Sequence, residues 1–262
     1  MPPALCRPLH RKAAMSGRFG LLQGRVTMID QAGLARPAID GVLLAAAAPV
    51  PGPQRVLDAG SGTGVVGLCL LARAPDVQVT ALDVNGTALA AASANAALNG
   101  RQNSFRTIEA DLAGLRDGGF DLVLSNPPFH HPASSRAAEP ARDLAHFGGM
   151  SLADWLGHCL RLCRSRGEIV VILRADRLAP TLGSLIGKAG AIRILPVHPY
   201  ADRPASRALI RARKGDRSPD MLLPGLVLHG QDGGWTQAAR HILEDGGAID
   251  WAAGDREGGS AR

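Results

Sequence analysis

Four residues near the middle of the chain, Asn126, Pro127, Pro128 and Phe129, follow the apolar run FDLVLS and precede His130 and His131. Proline fixes its own φ, lacks an amide donor and pushes the residue before it out of helical conformation. The tetrapeptide is therefore a stiff, extended corner where a strand stops, and what it offers a ligand is acceptors. A second group, DAGSGTG at 58–64, sets Gly60, Gly62 and Gly64 in strict alternation between a strand pattern and a helix pattern. Glycines there let backbone approach a ligand closely, and the helix start favours negative charge. Asp83 closes the next strand pattern, nineteen residues after Gly64. A carboxylate in that place can accept both hydroxyls of a ribose.

A glycine loop with a ribose acid serves either a dinucleotide or a single nucleoside cofactor. The dinucleotide fingerprint is GxGxxG, whereas here the glycines alternate, with Gly67 further on. Asp58, two residues before the first glycine, would repel a pyrophosphate and suits a positively charged, amine-bearing ligand. That favours S-adenosylmethionine over a nicotinamide cofactor.

The elements that must carry these residues are legible as a rhythm. RVLDAG (55–60), VQVTALD (77–83), SFRTIEAD (104–111), FDLVLSN (120–126) and GEIVVIL (167–173) read as strands. Helical patterns fall at 39–48, 65–74, 86–98, 151–163 and 175–188. Such alternation implies a mostly parallel sheet covered on both faces. AIRILPV (191–197) and SRALIRAR (206–213) are joined too closely for a parallel crossover, so they pair antiparallel. GRVTMI at 24–29 reads as a further short strand. The expected organisation is a basic, flexible arm over 1–20 and one domain over 21–245. Within it, 21–53 is an N-terminal extension, 54–215 the core and 216–245 a C-terminal extension. A Gly-rich tail over 246–262 is expected to fray.

Of the 262 residues, 46% are apolar and only 3% aromatic, so the core rests on Ala, Leu, Val and Ile. The formal charge of +6 and pI near 9.8 favour an anionic partner such as nucleic acid. Cys6, Cys69, Cys159 and Cys163 form no CxxC pair and read as buried thiols, and no metal site is expected. No uninterrupted apolar segment reaches membrane-spanning length and no signal peptide is evident, so the chain reads as soluble and cytoplasmic. Arg207, Arg211 and Arg213 share parity on a strand and, with Lys214, Arg217, Arg174, Arg177 and Arg203, are expected to form a phosphate-binding patch beside the cleft.

On these motifs the chain resembles the class I methyltransferases, with a Rossmann-like, seven-stranded, mostly parallel sheet, one antiparallel strand and helices on both faces. DAGSGTG resembles their first motif, Asp83 their ribose acid, and EAD at 109–111 their loop beside the cofactor adenine. The resemblance implies that Asp58, Gly60, Ser61, Gly62, Thr63, Gly64, Asp83, Val84, Asp111, Leu112 and Asn126 contact S-adenosylmethionine. The product would be S-adenosylhomocysteine. NPPF at 126–129 resembles the catalytic motif of enzymes that methylate amino groups of nucleobases or of a glutamine side chain. GRVTMIDQAGLARPAIDGVLLAAAAP, RADRLAPTLGSLIGKAG and RALIRARKG together resemble the bacterial enzymes that methylate N6 of adenine 37 in a valine tRNA. That family usually has an aromatic residue and an arginine shortly before the first of these helices; here only Arg36 stands nearby. Asn-Pro-Pro-Phe-His also resembles guanine-N2 enzymes of ribosomal RNA, and glutamine-N5 methylation of a protein is a further alternative.

The motif implies a specific chemistry. An exocyclic amine is a poor nucleophile because its lone pair is delocalised into the ring. The Asn126 side-chain oxygen and the Pro127 carbonyl, held by two rigid rings, are the acceptors that orient it. Phe129 is placed to stack on the base, at about 1–3 kcal/mol. Residues 130–150, with His130, His131, His146 and Phe147, are candidates for a lid over bound RNA.

Overall fold

The computed structural model describes residues 17–30, 39–127 and 150–252. Strands β1 (Arg18–Leu21) and β2 (Val26–Ile29) form an antiparallel hairpin outside the main sheet. Helix α1 (Ile39–Ala47) leads into the alternating core. That core runs β3 (Arg55–Ala59), α2 (Val65–Arg73), β4 (Gln78–Asp83), α3 (Gly86–Leu98), β5 (Phe105–Glu109) and β6 (Phe120–Ser125). It continues as α4 (Leu152–Leu162), β7 (Cys163–Arg174), α5 (Leu178–Leu185), β8 (Ala189–His198) and β9 (Arg207–Lys214).

In space these strands lie in the order β8-β9-β7-β6-β3-β4-β5, and β9 alone runs against its neighbours. This is the expected seven-stranded sheet with one antiparallel member. Two strands of two residues each, β10 (Met221–Leu222) and β11 (Leu226–Val227), pair parallel with β8 and bring the sheet to nine. The central strands β3 and β6 are apolar along almost their whole length because helices cover them on both sides. One core packs α1, α2, α3 and the hairpin on the sheet; the other packs α4 and α5 on its opposite face. Helix α2 sits close because Gly67 carries no side chain. A Cβ there would lie 2.7 Å from Phe105 and 2.8 Å from Val79. Cys69, Cys159 and Cys163 are free and buried, as expected, and burial raises all three thiol pKa values. Cys6 lies outside the described residues.

Two sequence expectations need correction, one near each end of the described chain. The basic arm was expected to reach residue 20, yet Arg18–Leu21 is a strand that seats Leu21 and Leu22 in the core. Its partner β2 is held from the other side by α3, whose Asn95 and Asn99 side chains accept the Ile29 and Thr27 amides at 2.8 and 2.9 Å. The C-terminal extension contains a helix, α6 (Gln237–Leu243), capped by Thr236, whose hydroxyl accepts the Ala239 amide. Finally, the tail does not fray from residue 246. Trp251 is only 6% exposed and its indole donates to the Ala47 carbonyl at 2.8 Å. The Ile249 amide donates to Ala46. The last carbonyls of a helix have no partner within it, and here the tail supplies them for α1.

Trp251→Ala should therefore lower stability by about 3 kcal/mol, seen as an earlier denaturant midpoint. An unchanged midpoint would restore the frayed tail.

Candidate active site

The strand order reverses between β3 and β6: β4 and β5 lie to one side, β7 to the other. Parallel sheets bind ligands outside the carboxyl ends of their strands at such a point. The register pairs Ala59 with Ser125, so Gly60 and Asn126 leave adjacent strands side by side. Asp83 ends the strand on the other side of β3. The three sequence features thus meet on one edge, within about 10 Å across two strand spacings.

Gly60, Gly62 and Gly64 all have positive φ, at 76°, 53° and 86°. Four of the loop's amides are already used. Those of Gly60 and Ser61 donate to the Leu82 carbonyl at 2.9 and 3.0 Å, and that of Gly64 to Ser61. The Gly62 amide donates to Asp83 Oδ2 at 2.8 Å, while Asp83 Oδ1 accepts the Asn85 amide. A pyrophosphate would need amides of this kind free, so the geometry speaks against a dinucleotide. Each Asp83 oxygen keeps a second lone pair for a hydroxyl. Beyond Gly62 there is open space.

Of the four buried side-chain oxygens without a hydrogen-bond partner among the described residues, two lie here: Asp58 Oδ1 and Ser61 Oγ. Asp58 is 1% exposed, and its Oδ2 accepts only a long bond from the Gly67 amide, 3.3 Å. Burial pushes its carboxyl up to about 7, against the pull of the Gly67 amide and helped by the Asp83 charge. An unsatisfied, buried acid beside an open glycine backbone fits a ligand carrying an amine. Val84, directly after the ribose acid, is 67% exposed, an apolar surface suited to a flat ring. Asp111 caps its own turn by accepting the Ala113 amide, and Leu112 is a buried core residue. These residues fit S-adenosylmethionine.

Sequence reasoning missed two positioning residues. Asn95, fully buried, donates from its side-chain amide to the Thr63 carbonyl at 3.1 Å and so ties the loop to α3. A polar residue in an Ala-rich helix interior was the available signal. Trp155 of α4 donates its indole N–H to Ser125 Oγ at 3.0 Å, and that hydroxyl donates to the Ala59 carbonyl at 2.9 Å. The Trp155 ring also lies 3.3 Å from where a Gly60 Cβ would stand. Asn126 is half-buried and Pro127 buried at the end of β6. Pro128, Phe129, His130, His131, Arg36 and the expected lid lie outside the described residues.

The expected arginine patch is split. Arg211 and Arg213 both bond Glu168, at 2.7–3.0 Å, near the amino ends of the parallel strands. Glu168 lies three residues, about 10 Å along the sheet, below the end of β6. Arg207, at the site edge, bonds Asp40 of α1 at 3.0 Å. Parity did put them on one face, but protein carboxylates take them up.

The chain matches the methyltransferase small domain family over residues 39–143. It is 33% identical to the tRNA1(Val) (adenine(37)-N6)-methyltransferase of Aeromonas hydrophila, over 78% of this chain and 85% of that one. The chain belongs to this family. The enzyme of the same name from Erwinia tasmaniensis is 30% identical over 79% of this chain and 85% of its own. The release factor glutamine methyltransferase of Deinococcus radiodurans is 37% identical, but over 52% of this chain and 51% of that one. Among solved structures, a predicted O-methyltransferase of Agrobacterium tumefaciens superposes with a TM-score of 0.67 at 23% identity, covering 80% of this chain and 98% of its own, and shows the shared fold. As a member of its family the protein is an S-adenosylmethionine-dependent methyltransferase. No helix among the described residues is long and apolar enough to cross a membrane.

The folded carboxyl of Asp58 is raised above its unfolded value of 3.8, so it opposes folding once it must ionise. Ligand-free stability should fall as pH rises from about 4 to about 7. Asp58→Asn should remove that slope, raise the melting temperature at pH 8, and weaken cofactor binding at least tenfold by calorimetry. A slope unchanged in the variant would contradict this assignment. Trp155→Phe keeps the ring but loses the bond to Ser125, and should cost about 1 kcal/mol in denaturant unfolding and lower turnover.

Proposed function

We propose that the protein transfers a methyl group to N6 of an adenine in tRNA, adenine 37 of a valine tRNA being the first candidate. The observation that carries this reading is the place of Asn126. It stands at the end of β6, one residue past the Ala59–Ser125 pair and so beside the glycine loop. The curated relatives that cover most of the chain are named for that substrate.

Bound S-adenosylmethionine supplies the electrophilic methyl. Asp58, Ser61, Gly62, Asp83 and Val84 are the residues proposed to hold it. The work of the corner is orientation. The Asn126 oxygen and the Pro127 carbonyl accept the two amine hydrogens and favour the pyramidal form whose lone pair points at the methyl. No strong base is needed, because the amine nitrogen becomes acidic as it is alkylated and then loses a proton to solvent. Phe129 is proposed to stack on the base. At an anticodon loop the base is unpaired, so turning it out of its stack costs little.

A glutamine side-chain amide presents the same two hydrogens, and the partial match to the Deinococcus enzyme favours that second reading over guanine N2. Purified protein should convert unmodified valine tRNA to a product whose digest contains N6-methyladenosine by mass spectrometry. Asn126→Ala should lower kcat on the order of 100-fold with cofactor affinity far less affected. Label appearing in N2-methylguanosine or methylglutamine instead would replace the adenine assignment.

A further inference from the structure

The β8–β9 connection rises on the same edge as the candidate site, because β8 runs parallel to β7 with β9 antiparallel between them. Ser125 pairs with Val171, and Arg174, three residues on, pairs with Arg207, which in turn pairs with Val197. Strands β7, β9 and β8 therefore continue about 10 Å past the end of β6 and wall one side of the site. On that wall sits an aromatic column. Trp235 and His229 are stacked with centroids 4.4 Å apart at 19°, and Tyr200 lies on His229 at 5.3 Å and 32°.

The column is held firmly. The His229 amide donates to the Pro199 carbonyl at 3.0 Å, and His229 Nδ1 lies 3.2 Å from the Gly233 carbonyl. Trp235 packs against the core. The loop itself is a tight turn, with the Arg203 amide donating to the Tyr200 carbonyl at 3.1 Å and His198 Nδ1 bonded to the Arg203 carbonyl at 2.9 Å. Tyr200 nonetheless remains 39% exposed, in a chain with one tyrosine, three tryptophans and five phenylalanines. Three turn residues further on, the Arg203 side chain is 68% exposed and, among the described residues, meets only Asp202, at 4.0 Å. A ring backed on one side, open on the other and next to an exposed guanidinium is the arrangement that takes up a nucleic-acid base and its phosphate.

We propose that Tyr200 and Arg203 form a platform for an unpaired RNA base a few nucleotides from the one being methylated. The ends of β6 and β8 are three strand spacings apart and offset by about 10 Å along the strands, about 17 Å in all, and stacked bases in one strand follow each other at about 3.4 Å. The inference rests on the RNA substrate proposed above. The competing role for Tyr200 is a brace that pins the turn to the 229–235 hairpin. Such a role would show in stability and would not involve Arg203.

The test compares wild type, Tyr200→Ala, Tyr200→Phe and the surface variant Arg203→Gln in methyl transfer to full-length valine tRNA, with melting temperature and cofactor Kd measured in parallel. Tyr200→Ala and Arg203→Gln should each raise KM for tRNA about tenfold, leaving kcat and cofactor Kd unchanged, and Tyr200→Phe should stay within about twofold. Unchanged KM in both variants overturns the platform while leaving the methylation reading intact. So does a rise confined to Tyr200→Ala with a lowered melting temperature. If wild type methylates no tRNA, the substrate reading fails. The platform is then judged by anisotropy of a labelled single-stranded RNA oligonucleotide. Weaker binding by both variants supports it, and equal binding overturns it.

Discussion

The pairing of β3 with β6 is the constraint on which the site depends. Wherever two neighbouring parallel strands send their following helices to opposite faces, a crevice opens beyond their carboxyl ends. Here the ladder stops at Ala59 and Ser125, and the Ser125 hydroxyl donates to the Ala59 carbonyl at the point where backbone pairing ends. The Trp155 indole secures that hydroxyl from α4. One small hydrogen-bonded chain therefore fixes the separation between the glycine loop and Asn126. A corner of hydrogen-bond acceptors is useful only if it stands at a set distance from the group it serves.

On the cofactor side, saturation and deficit lie next to each other. The loop amides are consumed by Leu82 and Asp83, so the loop keeps its left-handed glycine conformations without a ligand. The buried Asp58 and Ser61 oxygens are left short. Burying a carboxylate with one oxygen unpartnered is costly, and burial raises the Asp58 pKa accordingly. The protein tolerates it because the rest of the β3–α2 junction is close-packed apolar chain. A ligand amine would relieve the deficit, which makes the same group a liability without the cofactor and a source of affinity with it.

The net positive charge has a more ordinary use than composition implied. Glu168 gathers Arg211 and Arg213, Asp40 takes Arg207, Asp121 takes Arg164, and Asp176 takes Arg174. These pairs hold β7, β9 and α1 in register more than they attract phosphate. Arg203, on the rigid 200–203 turn, reaches the site edge with only a long contact to Asp202 among the described residues. Affinity for RNA would then come from a few placed contacts and not from a broad field.

The strand and helix rhythm from 55 to 126, the glycine loop, Asp83 and the Asn-Pro-Pro corner could all be read from the chain. Each is a local signal: periodicity, φ preference or the absence of a donor. The antiparallel β9 was legible too, since a short connection forbids a parallel crossover. Hidden from sequence were Trp155, Asn95, the docked Trp251 and the Tyr200–His229–Trp235 column. Their partners lie 30, 32, 204 and 29 residues away, for the pairs with Ser125, Thr63, Ala47 and His229. No local pattern encodes such a meeting. The parity of Arg207, Arg211 and Arg213 predicted their common face, but only the folded sheet supplied Glu168 and Asp40 to neutralise them. The sequence by itself determined the chemistry on offer and the elements that carry it. The tertiary structure decided which of those groups face a ligand and which face each other, because long-range pairing depends on three-dimensional packing that residue spacing does not contain.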